Sequence, residues 1–513
     1  MDHSNFYDKK ESSISHDELN GVSYPNRQSQ YSDSDSDSYA MNKEHEEHHQ
    51  TMPRGCSIPF MLIICAPKMA INMAWAAQWA AFGPLLQAML VDSWRVQLLQ
   101  VIGPLTGLFV APTIGVLSDR CTSSYGRRRP FLLFGATMTI FCWCFMSYAG
   151  EIGVALGDAK NATKTDVPQG DTETRHYWKT VVTVLCYVWM DITVNITQIP
   201  ASLIIADFVG PRQVTGASIG QGYSFLGQFL VSGYIWFFGA AHLSIHSFFA
   251  MLMAVMVLTM LPLCFFANEK QYVATSIYST TRKYKDAFLA VYTGIRTLPK
   301  QLAVYCICFV LMEYGYMAYG GSKGQYFGIN VFGGVAEGAD SCSKPNAPKC
   351  SKEQNLYNHG VAIAGGITDT IFNIVGLIYL IALPYAVKKF GARTVLKLAI
   401  IPQALYVVVA FCHVVEVDIA IVALSAITQQ TIFALQVPAI IHVIGYGEES
   451  NLGLYTGSLN SANVFGQLLN FILSSALVST PLGYSLPILV GGICSICALI
   501  VVHFYFTLHM KTY

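Results

Sequence analysis

Residues 118–136 read SDRCTSSYGRRRPFLLFGA, a short polar turn that puts four arginines, Arg120, Arg127, Arg128 and Arg129, between two apolar runs. The run before it, 96–117, and the run after it, 130–150, carry no charge. Each is about 20 residues long, the length a helix needs to cross a hydrocarbon core of about 30 Å. Arginine and lysine gather in the connectors on one side of a membrane. The turn therefore reads as a connector between two membrane-spanning helices.

Outward from this turn the pattern repeats, and about twelve such runs follow one another. They cover 58–83, 96–117, 130–150, 179–206, 214–237, 246–267, 299–319, 359–385, 394–413, 417–443, 455–477 and 484–508. Composition agrees: 53% of residues are hydrophobic and 12% charged, against about a quarter charged in soluble domains. The predicted fold class is an all-α membrane protein embedded in a lipid bilayer. Zero formal net charge leaves no basic field for a nucleic acid partner. Several runs contain Pro, Gly, Asn or Gln, tolerated in lipid where neighbouring helices or internal water satisfy the freed polar groups. The runs read as a bundle with a polar interior.

Basic residues sort the connectors. The second holds the four arginines, the sixth holds Lys270, Arg282, Lys283, Lys285, Arg296 and Lys300, and the eighth holds Lys388, Lys389 and Arg393. All are even-numbered, which predicts cytoplasmic N- and C-termini. The third connector carries Asp158, Asp166, Asp171, Glu173 and an Asn161-Ala162-Thr163 sequon, compatible with the outside.

Residues 1–57 are polar, acidic and serine-rich, and predict a disordered cytoplasmic tail. It lacks the apolar centre of a secretory signal, so the first span is expected to direct insertion. His45, His48 and His49 read as solvated side chains, and no metal site is expected. The long basic connector 268–298 is a cytoplasmic linker between six-helix bundles at 58–267 and 299–508, with 509–513 as a cytoplasmic C-terminus. SDRCTSSYGRRRP after span two and VKKFGART after span eight occupy corresponding positions, as in a transporter of two repeated halves. Most cysteines lie in or beside spans as small apolar residues. Cys342 and Cys350, in an outer loop, are expected to form a disulfide in an oxidising compartment.

The fourth span carries the chemistry: YVWMDITVNITQIPASLIIAD, residues 187–207. Asp191, Asn195, Gln198 and Ser202 are spaced four, three and four apart, on one helix face. That face must look into the bundle or a water-filled cavity, and Pro200 can kink the helix beside it. Interhelical glue is the alternative for the amides. Asp191 has no Lys or Arg on its own helix face and lacks an obvious charge partner. Such a carboxylate can load a proton from one side and release it to the other.

Span eleven repeats the spacing with Thr456, Asn460, Asn463 and Gln467. Span five adds Gln221, Ser224 and Gln228, and span one Asn72, Trp75, Gln78 and Trp79. Sugars need amides and carboxylates for directional hydrogen bonds and flat apolar faces for their C–H side. Trp75 beside these amides supplies both. Glu313 in span seven and Asp369 in span eight compete for the proton role, unless they pair with Lys323 or a basic loop.

These residues match a family pattern. SDRCTSSYGRRRPF closely resembles the signature after the second helix of the proton-coupled sucrose transporters, in the glycoside-pentoside-hexuronide:cation symporter family of the major facilitator superfamily. AWAAQ near Trp75 resembles their first helix, Asp191 with Asn195, Gln198 and Pro200 matches D-x-x-x-N-x-x-Q-x-P of the fourth, and TGSLNSANVFGQ around Asn460 resembles the eleventh. The resemblance implies a twelve-helix carrier with the major facilitator fold, moving sucrose or a related glucoside with protons, in which Asp191 accepts the proton and contacts the sugar. Some positions depart from it. Plant members have an arginine where Ser202 stands, their histidine after the first helix falls near Ser93, and their aspartates after the seventh fall near Lys323 and Gln325. Glu313 and Asp369 have no counterpart there, so a different sugar or a different coupling carboxylate stays open.

The expected substrate contacts are Trp75, Gln78, Asp191, Asn195, Gln198, Gln221, Asn460 and Asn463, with Asp191 and Glu313 as proton-coupling residues. Asp119, Arg120, Gly126 and Arg127 to Arg129 are expected to form an inner-face latch that breaks when the carrier opens inward. Protons are the coupling ion and no cofactor is expected. The carrier is expected to work as a monomer in the plasma membrane, with vacuolar or lysosomal membranes as alternatives. A non-transporting sensor or scaffold signalling through Ser32, Ser34, Ser36 and Ser38 is the rival reading. An enzyme is not expected: no metal-ligand spacing and no P-loop occur, and GQGYSFLG lies inside a span as a helix-packing stretch.

Overall fold

The structure, a computed structural model, describes residues 56–90, 92–119, 121–158, 177–209, 213–269, 296–342, 350–444 and 452–507. The predicted tail up to residue 55, most of the linker and the last six residues lie outside the described residues.

Twelve long helical rods run through the described residues. They are α1 (Ile58–Met89), α2 (Ser93–Gly115, continuing to Asp119), α3 (Arg129–Ser147), α4 (Tyr177–Val209), α5 (Gln213–Phe238), α6 (Ala241–Phe266), α7 (Lys300–Gly320), α8 (Lys352–Phe390), α9 (Ala392–Cys412), α10 (Val415–Ile444), α11 (Leu452–Leu477) and α12 (Ser485–Tyr505). Ten are long and apolar enough to cross a membrane; α5 and α11 are the exceptions. Their polar residues, Gln221, Ser224 and Gln228 in one and Asn460, Asn463 and Gln467 in the other, are what lower their hydropathy.

The ends differ from the apolar runs where local chemistry extends the helix. A capping box, Ser351 with Gln354, starts α8 at Lys352, a turn or more before its apolar run. Beyond α7 the chain makes a short turn at Lys323–Gln325 and a π-helical turn at Tyr326–Val331. Between α8 and α9 only Gly391 intervenes, at φ 78°, a backbone region that glycine occupies without a Cβ clash.

Packing shows the repeat. In the first half α1 packs on α5, α3 on α4, α2 on α4, α6 on α1 and α6 on α3; each pairing recurs six helices later, as α7 on α11, α9 on α10, α8 on α10, α12 on α7 and α12 on α9. Each half buries its own apolar core, one around Trp143, Phe248 and Phe249, the other around Tyr305, Phe309 and Leu396. The halves meet through α2 with α11 and α5 with α8, also a symmetric exchange.

The alternation of the rods puts the ends of α2, α6 and α8, from which the basic connectors leave, on one side, here the basic face. Among the described residues the bonds between the halves lie toward the opposite face. Tyr357 Oη donates to the Pro84 carbonyl at 3.0 Å, Gly338 N to the Ala88 carbonyl at 3.1 Å, and Tyr484 Oη to Gln87 Oε1. His242 bonds Asn358 at 2.6 Å, Lys179 pairs with Asp340, and Trp79 stacks on Phe471 with centroids 5.6 Å apart. Close approach of backbone tightens the seam, since a Cβ on Gly366 would lie 2.9 Å from Trp236 backbone. The molecule is shut on the opposite face.

Candidate functional site

The α4 stripe is graded in exposure. Asp191 is 0% and Asn195 4% exposed, whereas Gln198 and Ser202, nearer the basic face, are half-buried. In the second half Glu313 is 1% exposed, Gln467 and Asn463 are half-buried, and Asn460 is exposed. Each half thus holds one carboxylate at the closed end of a polar stripe that opens toward the basic face. Gln221 is exposed on α5, on the same open side.

Hydrogen bonds from α1 set what each side chain offers. Gln78 Nε2 donates to Tyr187 Oη at 2.8 Å, Trp75 Nε1 to Gln198 Oε1 at 2.7 Å, Asn72 Nδ2 to Ser224 Oγ at 2.9 Å, and Lys68 Nζ to Ser202 Oγ at 2.8 Å. An indole N–H is a donor only, so Gln198 turns its oxygen to Trp75 and keeps its amide N–H groups for a ligand. Asn195 does the reverse. Its Nδ2 is spent on Thr106 Oγ1 at 3.1 Å and the Asp191 carbonyl at 2.9 Å, leaving Oδ1 as acceptor. The stripe alternates acceptor and donor, the arrangement that neighbouring hydroxyls can match.

Asp191 sits where α1, α2 and α4 meet. A Cβ on Gly103 would lie 3.3 Å from Gln78 Nε2 and 3.5 Å from Asp191 Oδ2, so glycine at 103 makes room for both. No ion pair reaches Asp191 among the described residues. Glu313 faces α11, where Gln467 Nε2 bonds Asn463 Oδ1 at 2.8 Å and approaches Glu313 Oε2 at 3.5 Å. Asp369 is in a different position, since Lys323 pairs with it directly. That pairing resolves the choice left open for Asp369, which is a neutralised partner and not a free carboxylate.

The arginine turn makes a set of bonds within the first half. Arg127 and Arg128 both reach Asp207 Oδ2 on α4 at 2.8 Å, Arg128 also donates to Ser118 Oγ at 3.1 Å, and Arg129 donates to the Cys264 carbonyl at 3.0 Å. Glu269 Oε2 accepts from the backbone N–H of Arg128 and Arg129 at 2.9 and 3.2 Å. Gly126, at φ 110°, leaves that carboxylate no Cβ to meet. These partners belong to the first half, so the bonds tie α2, α4 and α6 together while the opposite face is shut. The Asp119 and Thr456 side chains and Arg120 lie outside the described residues. Cys342 and Cys350 are joined in the structure.

Two groups escaped the reading of the sequence. Lys68 lies four residues before Asn72 and seven before Trp75, on the same accessible face of α1, but its position near the basic end suggests only a lysine reaching for the surface. Asp418, at the start of α10, is fully buried against Tyr326, whose Oη lies 3.4 Å from Oδ2. A carboxylate at a span end looks solvated in sequence; only packing buries it.

Solved structures share this arrangement. A D-xylose-proton symporter superposes with a TM-score of 0.54 at 14% identity over 88% of this chain and 98% of its own. The inward-open xylose transporter XylE from E. coli gives 0.56 at 11% identity, over 88% and 97%. The fold is that of the major facilitator superfamily. The chain is an integral membrane protein. No family model matches it. Among curated proteins, the sucrose transport protein SUC3 of Arabidopsis thaliana is 32% identical over 164 residues, 32% of this chain and 27% of its own length. The sucrose transport protein SUT4 of Oryza sativa subsp. indica is 30% identical over 179 residues, 34% of this chain and 29% of its own. The matched stretch thus spans under a third of the length of these relatives.

Proposed function

We propose that the protein is a proton-coupled sugar symporter for sucrose or a related glucoside, working by alternating access, and a carrier rather than an enzyme. The observation that carries this is one buried carboxylate per half at the closed end of an amide stripe that opens on one face only. In this reading the basic face is cytoplasmic and the structure is the inward-open state. Asp191 takes its proton when the opposite face is open. Neutralising it removes a buried charge and favours sugar binding between the halves. Proton loss to the cytoplasm then lowers sugar affinity by linkage. The similarity to sucrose transport proteins supports the substrate class, and protons serve as the coupling ion with no cofactor. The carrier acts as a monomer in the plasma membrane.

Uptake of labelled sugar into vesicles tests this. Asp191→Asn is expected to abolish accumulation against a gradient while leaving downhill exchange. In the wild type, a protonophore is expected to collapse accumulation. Uphill sucrose uptake by Asp191→Asn at the wild-type level rejects the assignment; Glu313→Gln then becomes the variant expected to lose coupling.

A further inference from the structure

Beyond Asp191, toward the opposite face, the polar lining continues in side chains that have not spent their hydrogen bonds. Gln100 lies one turn before Gly103 on α2, the glycine against Asp191, and is 1% exposed. Gln325, after α7 in the other half, is 0% exposed. A Cβ on Gly83 of α1 would have Gln100 Nε2 and Gln325 Nε2 each at 3.1 Å, so the two amides converge on one point from the two halves. Among the described residues neither amide, oxygen or nitrogen, has a partner. Gln97 Nε2, one turn earlier on α2, has none either, nor do both polar atoms of Asn470 on α11, the helix that packs on Ser93–Gln100. Buried amides are normally bonded, and leaving one unsatisfied is costly. Here several gather at the seam between the halves, under the Tyr484–Gln87 bond that shuts it.

We propose that Gln100 and Gln325, with Gln97 and Asn470 beside them, form an entry subsite for a hydroxyl-rich ligand, assembled across the two halves and exposed when the opposite face opens. Each amide brings a donor and an acceptor, the complement of a sugar hydroxyl. The subsite hands the ligand to Asp191 and Gln78 one turn deeper. When the face shuts, the ligand has moved on and the amides lie buried at the seam. This rests on the transport reading above and adds a second station to it.

The test is the half-saturation concentration for sucrose measured separately from each side, as uptake into right-side-out vesicles and efflux from the basic face, for the full chain and for Gln100→Leu and Gln325→Leu. The subsite predicts that either variant raises the uptake value about tenfold and leaves the efflux value unchanged, with efflux itself reporting that the variant is folded. A rise on one side with a fall on the other means that leucine only biases the closed state, and overturns the proposal. So does an equal change on both sides or no change. Loss of both activities in the leucine variants is resolved by Gln100→Asn and Gln325→Asn, which keep the amide: a one-sided rise there supports the subsite, and its absence overturns it. If the wild type moves no sugar from either side, the transport reading fails, and the subsite with it.

Discussion

At the scale of single residues, direction of hydrogen bonding decides what a ligand meets. Trp75 fixes the Gln198 amide by donating to its oxygen. Trp75→Phe keeps an aromatic face but releases Gln198 to rotate. Losing one neutral hydrogen bond of about 1 kcal/mol predicts a half-saturation value for sugar uptake roughly fivefold higher, with expression unchanged; initial-rate uptake reads it. The same logic separates the acids. Asp369 is spent on Lys323, whereas Asp191 and Glu313 meet no cation among the described residues. The face that Asp191 shares with Asn195, Gln198 and Ser202 was legible from helical spacing alone. Which polar atoms were already satisfied was not, because the side-chain partners come from α1 or α2, some ninety to more than a hundred residues away.

At the scale of elements, two glycines do corresponding work in the two halves. A Cβ on Gly227 of α5 would lie 2.1 Å from the Met69 carbonyl oxygen on α1, and one on Gly466 of α11 would lie 2.6 Å from the Val310 carbonyl oxygen on α7. Both contacts are to backbone, so the helices themselves must move. Gly227→Ala and Gly466→Ala are each expected to destabilise by about 1–3 kcal/mol through overpacking, read as a lower thermal unfolding midpoint in detergent. Gly222→Ala on α5, with nothing within 4 Å, is the control. It is expected to leave the midpoint unchanged or to raise it, since alanine costs a helix less than glycine. Sequence marks these glycines only as small residues inside apolar runs; the crossing that requires them is a property of two helices together.

At the scale of the whole molecule, the seam on the opposite face competes with whatever opens it. Its bonds come from α1, α4, α6, α8, Tyr484 just before α12, and the segment leading into the Cys342–Cys350 disulfide, which carries Gly338 to Ala88 and Asp340 to Lys179. Tyr484→Phe removes the bond to Gln87. A loss of about 1 kcal/mol shifts the balance of states roughly fivefold toward the open seam. A cysteine introduced as Ala81→Cys, which is buried here, is expected to react correspondingly faster with a membrane-impermeant maleimide applied from the opposite face. An unchanged labelling rate means that Tyr484 does not hold the seam.

The sequence by itself determined the spans, the side of the basic connectors and the polar faces of α4 and α11, because lipid imposes helix length and period on every local stretch. It also marked the arginine turn, though not its partners. Only the tertiary structure decided that Arg127 and Arg128 converge on Asp207, that Lys323 neutralises Asp369, that Lys68 reaches Ser202 and that unspent amides meet at the seam. Those outcomes depend on how helices distant in the chain cross and which face is shut, and no periodicity within one helix encodes the position of another.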